Sequence, residues 1–155
     1  KRIGLLTTVD YVSVGKLRTD GYKKALEENN IAWDEDLILK VDDFDHSELE
    51  ITEFLKEKKM DGLFAVNEHF AIYAIKAFQE NGLRVPEDVK VIGFTDGELS
   101  KRFIPSLTTV NQHGAEMGAQ AARILIRKLE NVDDEEHYQT VIVETGLVER
   151  TSTKN

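Results

Sequence analysis

At 155 residues, 41% hydrophobic and 32% charged, the chain is long enough to bury a real core as one domain and has the composition of an ordinary soluble globular protein. Its formal net charge of −9 argues against nucleic-acid phosphates as direct partners. It has no Cys for disulfides or thiol nucleophiles, and no apolar run near the roughly 18 to 20 residues that span a bilayer.

In chain order, Ile3–Thr7 reads as a buried strand, and the opening KRIGLLTTVD has no cleavable leader pattern. Val14, Leu17, Gly21 and Ala25 follow at helical spacing, with Ser13 as N-cap. Ile38–Val41 is a second strand. Asp45 and Glu48 have capping-box spacing ahead of a helix whose core face is Ile51, Phe54 and Leu55. The basic run Lys56–Lys59 suits that helix's solvated C-terminus.

Gly62–Val66 is a third strand, and Asn67 caps a helix over Glu68–Asn81 that ends at Gly82 in the left-handed region. Val89–Phe94 is a fourth strand and Leu107–Val110 a fifth. A long helix covers about Ala115–Glu130, with Met117, Ala121, Ile124 and Leu125 on one stripe. An acidic loop, Asp133–Glu136, leads to a last strand near Thr140–Val143, and residues 151–155 form a disordered tail. Continuous apolar strands separated by helices predict an α/β fold: a three-layer, open, mostly parallel sheet flanked by helices.

Catalytic and cofactor signatures are missing. There is no G-x-G-x-x-G, P-loop, G-x-S-x-G or H-E-x-x-H, so no cofactor is expected. His46, His69, His113 and His137 lack metal-ligand spacing and read as surface residues, and Asp42-Asp43 and Asp133-Asp134 as solvated turns. An enzyme would have to work with Asp42, Asp96 and Arg18, and no constellation supports one.

In an open parallel sheet, ligands bind outside the carboxyl ends of the strands. Those ends are Thr8-Val9-Asp10, Asp42-Asp43-Phe44, Asn67-Glu68, Thr95-Asp96 and Asn111-Gln112, with Arg18 near the same edge. Hydrogen-bonding groups beside an aromatic ring suit a small polyhydroxy ligand or a heterocycle. The same residues also make ordinary caps and turns.

Five stretches then occur in order: LRTDGYKKALEENNI (Leu17–Ile31), DGLFAVNEHFAIYAIKAFQENGLRVPEDVKVIGFTD (Asp61–Asp96), IPSLTTVNQ (Ile104–Gln112), MGAQAARILIRKL (Met117–Leu129) and LVERTST (Leu147–Thr153). Together they resemble the effector-binding region of the LacI/GalR family of bacterial transcriptional regulators, over nearly the whole chain. The resemblance implies a cytoplasmic regulator with two periplasmic-binding-protein-like lobes behind a helix-turn-helix headpiece. This chain would be its C-terminal lobe, residues 1–150, so that DNA is met only through the missing headpiece.

By position, the resemblance makes Arg18 a clamp on ligand hydroxyls or a ring substituent, Asn67 a polar contact and Phe44 a stacking aromatic. Thr95 stands where sugar-binding members often have Asp, which weakens a standard pyranose reading unless Asp96 or Glu68 substitutes. Gln112 completes the set. The resemblance also implies a homodimer face on the third helix, with Phe70 and Tyr73, extended by Phe103 and Ile104. The helix at 114–131 would pack on the missing first lobe. Without it, the expectation is that this helix folds back on the present lobe or packs on a second copy. A lobe of an exported solute-binding protein is the alternative of the same fold.

Overall fold

The apolar strands assemble into one sheet in the computed structural model of the chain, which describes residues 1–9, 13–130 and 140–154. The strands are β1 (Ile3–Thr8), β2 (Ile38–Val41), β3 (Gly62–Ala65), β4 (Lys90–Phe94), β5 (Thr108–Asn111) and β6 (Gly146–Val148), in the order β2-β1-β3-β4-β5-β6. Every pairing from β2 to β5 is parallel, and β6 closes the sheet antiparallel to β5. The helices are α1 (Ser13–Glu28), α2 (Ser47–Leu55), α3 (Glu68–Glu80), α4 (Glu98–Arg102) and α5 (Gly114–Leu129), with a 3₁₀ turn at Glu35–Leu37. The result is a mostly parallel α/β sheet flanked by helices.

The core is the reason the strands look unalternating in sequence. Leu5, Leu6, Ala65 and Val91 are fully enclosed between the sheet and its helices. Each buried Leu contributes about 1.5–3 kcal/mol over an exposed one. α3 supplies the largest share, with Phe70, Ala71, Ala74, Ile75, Ala77 and Phe78 all buried. Its start and stop follow the local chemistry: the Asn67 side chain accepts the Phe70 N–H at 2.8 Å, and Gly82 takes φ +78° just beyond the C-terminus.

Several expectations need correction. On α1 the buried face is Gly15, Tyr22 and Leu26, whereas Val14, Leu17, Gly21 and Ala25 look outward. Both sets have helical spacing, and only packing decides between them. α2 is capped at His46, not Asp45. The His46 ring bonds Asp43 at 2.6 Å, and the Ser47 hydroxyl donates to Phe44 O at 2.7 Å. Residues 140–145 are not a strand; the antiparallel partner of β5 comes later, at Gly146–Val148.

The expected disordered tail is built into the sheet. Ser152 is fully buried: its hydroxyl donates to Val91 O at 2.7 Å and accepts the Thr108 N–H at 2.8 Å, splinting the start of β4 to β5. α5, in turn, does not fold back on this lobe. None of its residues is buried, and Met117 (49%), Leu125 (60%) and Leu129 (73%) lie open. Asp10, the acidic loop Asp133–Glu136, His137 and Asn155 lie outside the described residues.

Candidate functional site

Parallel pairing from β2 to β5 brings the carboxyl ends of these strands to one edge. The order reverses between β1, whose helix leads to β2 on one side, and β3, whose helix leads to β4 on the other. Such a switch point opens a crevice between the two helices. Arg18 lies there. Its guanidinium donates to Val66 O at 2.5 Å and stacks 3.7 Å from the centroid of the Phe94 ring, and partial burial lowers its pKa from the usual value. One side chain from α1 thus ties together the ends of β3 and β4, next to Asn67 and Thr95.

The room for this arrangement comes from α1's second buried position. An added Cβ on Gly15 would stand 1.9 Å from Thr8 Oγ1, so glycine lets α1 lie against the end of β1. Thr8 Oγ1 is buried without a hydrogen-bond partner among the described residues. Below it, Thr7 and Thr19 share a hydroxyl contact of 2.8 Å.

Thr95 has φ +77°, a conformation that a β-branched residue adopts only under constraint. The constraint is visible: its N–H donates to Val110 O at 3.1 Å, continuing the β4–β5 ladder, while its side chain stays exposed at the edge.

Asp96 and Glu68 do not take over the role of a carboxylate at position 95. The Asp96 side chain, 9% exposed, pairs with Arg150 at 2.5 Å and accepts from the Thr109 hydroxyl at 3.1 Å and the Asn111 amide at 3.4 Å. Arg150 also donates to Leu107 O at 2.7 Å and to Thr109 Oγ1 at 3.1 Å. Glu68 reaches across to α4, where its carboxylate accepts from the Ser100 N–H at 2.7 Å and from the Ser100 hydroxyl. It lies so close over Gly97 that any Cβ there would collide with it. α4, whose N-cap is a glycine without a capping side chain, is held by this remote acid. Arg150 and Ser100 carry no site signature; the LVERTST stretch was the one clue to Arg150.

The remaining predicted residues divide. Asn67 keeps its side-chain oxygen on the Phe70 N–H, so its amide NH₂ is what it can offer a ligand. Phe44, 53% exposed, packs at the start of α3, 5.5 Å from the His69 ring and 6.0 Å from Phe70, measured between centroids. Gln112 is half-buried just past β5. Among the proposed dimer residues, Phe70 is corrected: at 1% exposure it belongs to this lobe's own core. Tyr73 and Phe103 are half-buried against that core, and Ile104 is open at 83%. Among the described residues no His, Asp and Glu cluster could hold a metal ion, and no helix is long and apolar enough to cross a membrane.

Comparison with known proteins decides what this edge belongs to. The sequence profile of the periplasmic binding protein-like domain matches residues 1–153. The chain is 38% identical over 152 residues to the HTH-type transcriptional regulator MalR of Clostridium butyricum, spanning 97% of this chain and 44% of that protein. Its fold superposes on the Escherichia coli transcriptional repressor AscG with a TM-score of 0.86 at 33% identity, over 97% of this chain and 55% of the other. The chain belongs to the periplasmic-binding-protein-like domain family, in its LacI/GalR branch. A complex of the transcriptional regulator CelR with cellobiose gives the same TM-score of 0.86, at 29% identity over 97% of this chain and 46% of CelR. This LacI/GalR lobe therefore spans about half the length of the relatives it matches, and those relatives are named as regulators of transcription.

Proposed function

We propose that this lobe senses a small polar metabolite, a sugar or sugar derivative, for a cytoplasmic LacI/GalR-type repressor or activator. Arg18 carries the reading. Its guanidinium is held at the topological switch point, between the ends of β3 and β4, by a backbone carbonyl and an aromatic face. The remaining donors are oriented for a ligand, beside the Asn67 amide and the Thr95 hydroxyl. The cellobiose complex of CelR supports a carbohydrate-like effector, and the MalR name supports a helix-turn-helix elsewhere in the polypeptide. Ligand bridging this lobe to a second one would favour one hinge angle through its different affinity for the two states, and that angle would set operator binding.

The same reading includes a homodimer. Ile104 and Leu99, 83% and 48% exposed, project beside half-buried Phe103 and Tyr73 and form the apolar centre of the proposed face. α5, with its open apolar stripe, would pack on the other lobe. The experiment is a thermal-shift screen of the full-length regulator against sugars and sugar derivatives, repeated with Arg18→Ala. A stabilising metabolite whose effect survives that substitution undiminished would refute the site assignment.

A further inference from the structure

We infer that the effector carries an oxyanion, a phosphate or a carboxylate on a small polar body, received by the guanidinium of Arg18. The inference rests on the effector-edge reading above and sharpens it.

The charge inventory of the edge leads to it. The acids set there by strand ends already have partners. Asp96 is paired with Arg150, Glu68 with the Ser100 backbone and hydroxyl, and Asp43 with His46; Asp42 is likewise engaged. Of the cations at the edge, Arg150 is consumed by Asp96. Arg18 is left: among the described residues no carboxylate lies within ion-pair distance of it. Its protein partners are one carbonyl, at 2.5 Å, and the Phe94 ring.

A guanidinium has five donors in a plane, and one accounts for the bond to Val66 O. The Phe94 ring covers one face, so a ligand meets the remaining donors in the plane, through the edge of the fork. That geometry matches a bidentate oxyanion, and a charge-assisted bond is roughly twice as strong as a neutral one. Partial burial removes water from the cation without supplying a counter-charge, the condition under which a bound anion gains most. The neighbouring turn raises no objection. Thr95 presents a neutral hydroxyl, and the Asp96 carboxylate is neutralised by its own arginine.

The test follows the Arg18 Nε–Hε resonance of the ¹⁵N-labelled chain, assigned by its loss in Arg18→Gln. Inorganic phosphate, D-glucuronate, D-glucose and sodium chloride are titrated at matched ionic strength. Phosphate or glucuronate should move the resonance saturably while chloride leaves it in place. Phosphate and glucuronate separate the two headgroups, and Arg18→Lys, which keeps the charge but loses the fork, should bind about tenfold more weakly. If glucose moves Arg18, Asn67 and Thr95 while neither anion does so, the oxyanion is wrong and the effector edge stands. If the anions act no differently from chloride, the oxyanion is likewise refuted. If no probe perturbs Arg18, Asn67 or Thr95, the edge reading falls as well.

Discussion

Replacing Arg150 by Ala strips the Asp96 carboxylate of its counter-charge in a place that water barely reaches, since the two side chains are 15% and 9% exposed. Breaking a buried pair by removing one partner costs about 3–5 kcal/mol. Asp96 keeps the Thr109 hydroxyl and the Asn111 amide, which puts the loss near the lower end, about 3 kcal/mol. The bond from Arg150 to Leu107 O disappears too, adding about 1 kcal/mol. A total near 4 kcal/mol is a large part of the ~5–15 kcal/mol that holds an ordinary domain together. With a urea m-value of about 2 kcal/mol/M, the unfolding midpoint should fall by about 2 M. Circular dichroism at graded urea reads this directly. The partner change, Arg150→Met with Asp96→Leu, removes both charges and should recover at least half of the loss. A midpoint shift below about 0.5 M for Arg150→Ala would place the pair among surface ion pairs and refute the reasoning.

Three further outcomes follow from the same geometry. Ser152→Ala leaves the Val91 carbonyl and the Thr108 N–H without their bridging hydroxyl and should cost about 2–3 kcal/mol in urea unfolding; an unchanged midpoint would show that residues 150–153 do not splint the sheet. Gly15→Ala drives a methyl onto Thr8 Oγ1 and should cost about 1–3 kcal/mol, much of it regained when Thr8→Ala is added; strict additivity of the two would exclude that contact as the cause. Burial, with help from the Asp34 charge, pushes the Tyr22 phenol from 10.0 up to about 12. The folded state therefore holds this proton where the unfolded chain has lost it. The stabilisation is complete below pH ~10 and is lost as pH rises towards about 12. Stability measured across this window should decline in the parent and decline less in Tyr22→Phe, a variant that also loses the bond from the phenol to Ile3 O.

Where an interaction is local, it could be read before any coordinates. Asn67 three residues before Phe70, and Gly82 just past the last turn, are caps whose partners lie within the same helix end. The candidate cleft was legible for a related reason: parallel strands must place their carboxyl ends together, and that requirement brought Arg18, Asn67 and Thr95 to one edge. Where two faces of a helix have equal claim by spacing, the reading failed. α1 buries Gly15, Tyr22 and Leu26 because Gly15 alone permits contact with Thr8, a fact about β1 that α1 cannot announce. Phe70 failed in a similar way. An aromatic on a helix that is apolar nearly all round can face a partner or its own core, and the enclosure of α3 sends it inward.

The sequence by itself determined the class of the protein: apolar runs of strand length, helices between them, and an ordered set of motifs that names the LacI/GalR effector-binding region. Tertiary structure decided what each polar side chain at the edge is free to do. Asp96 is matched by an arginine 54 positions away, and Glu68 by a serine 32 positions away. Such bonds leave no periodicity and no spacing in the sequence, because they depend on how far the intervening chain travels before returning. With those acids committed, the charge left at the switch point is that of Arg18.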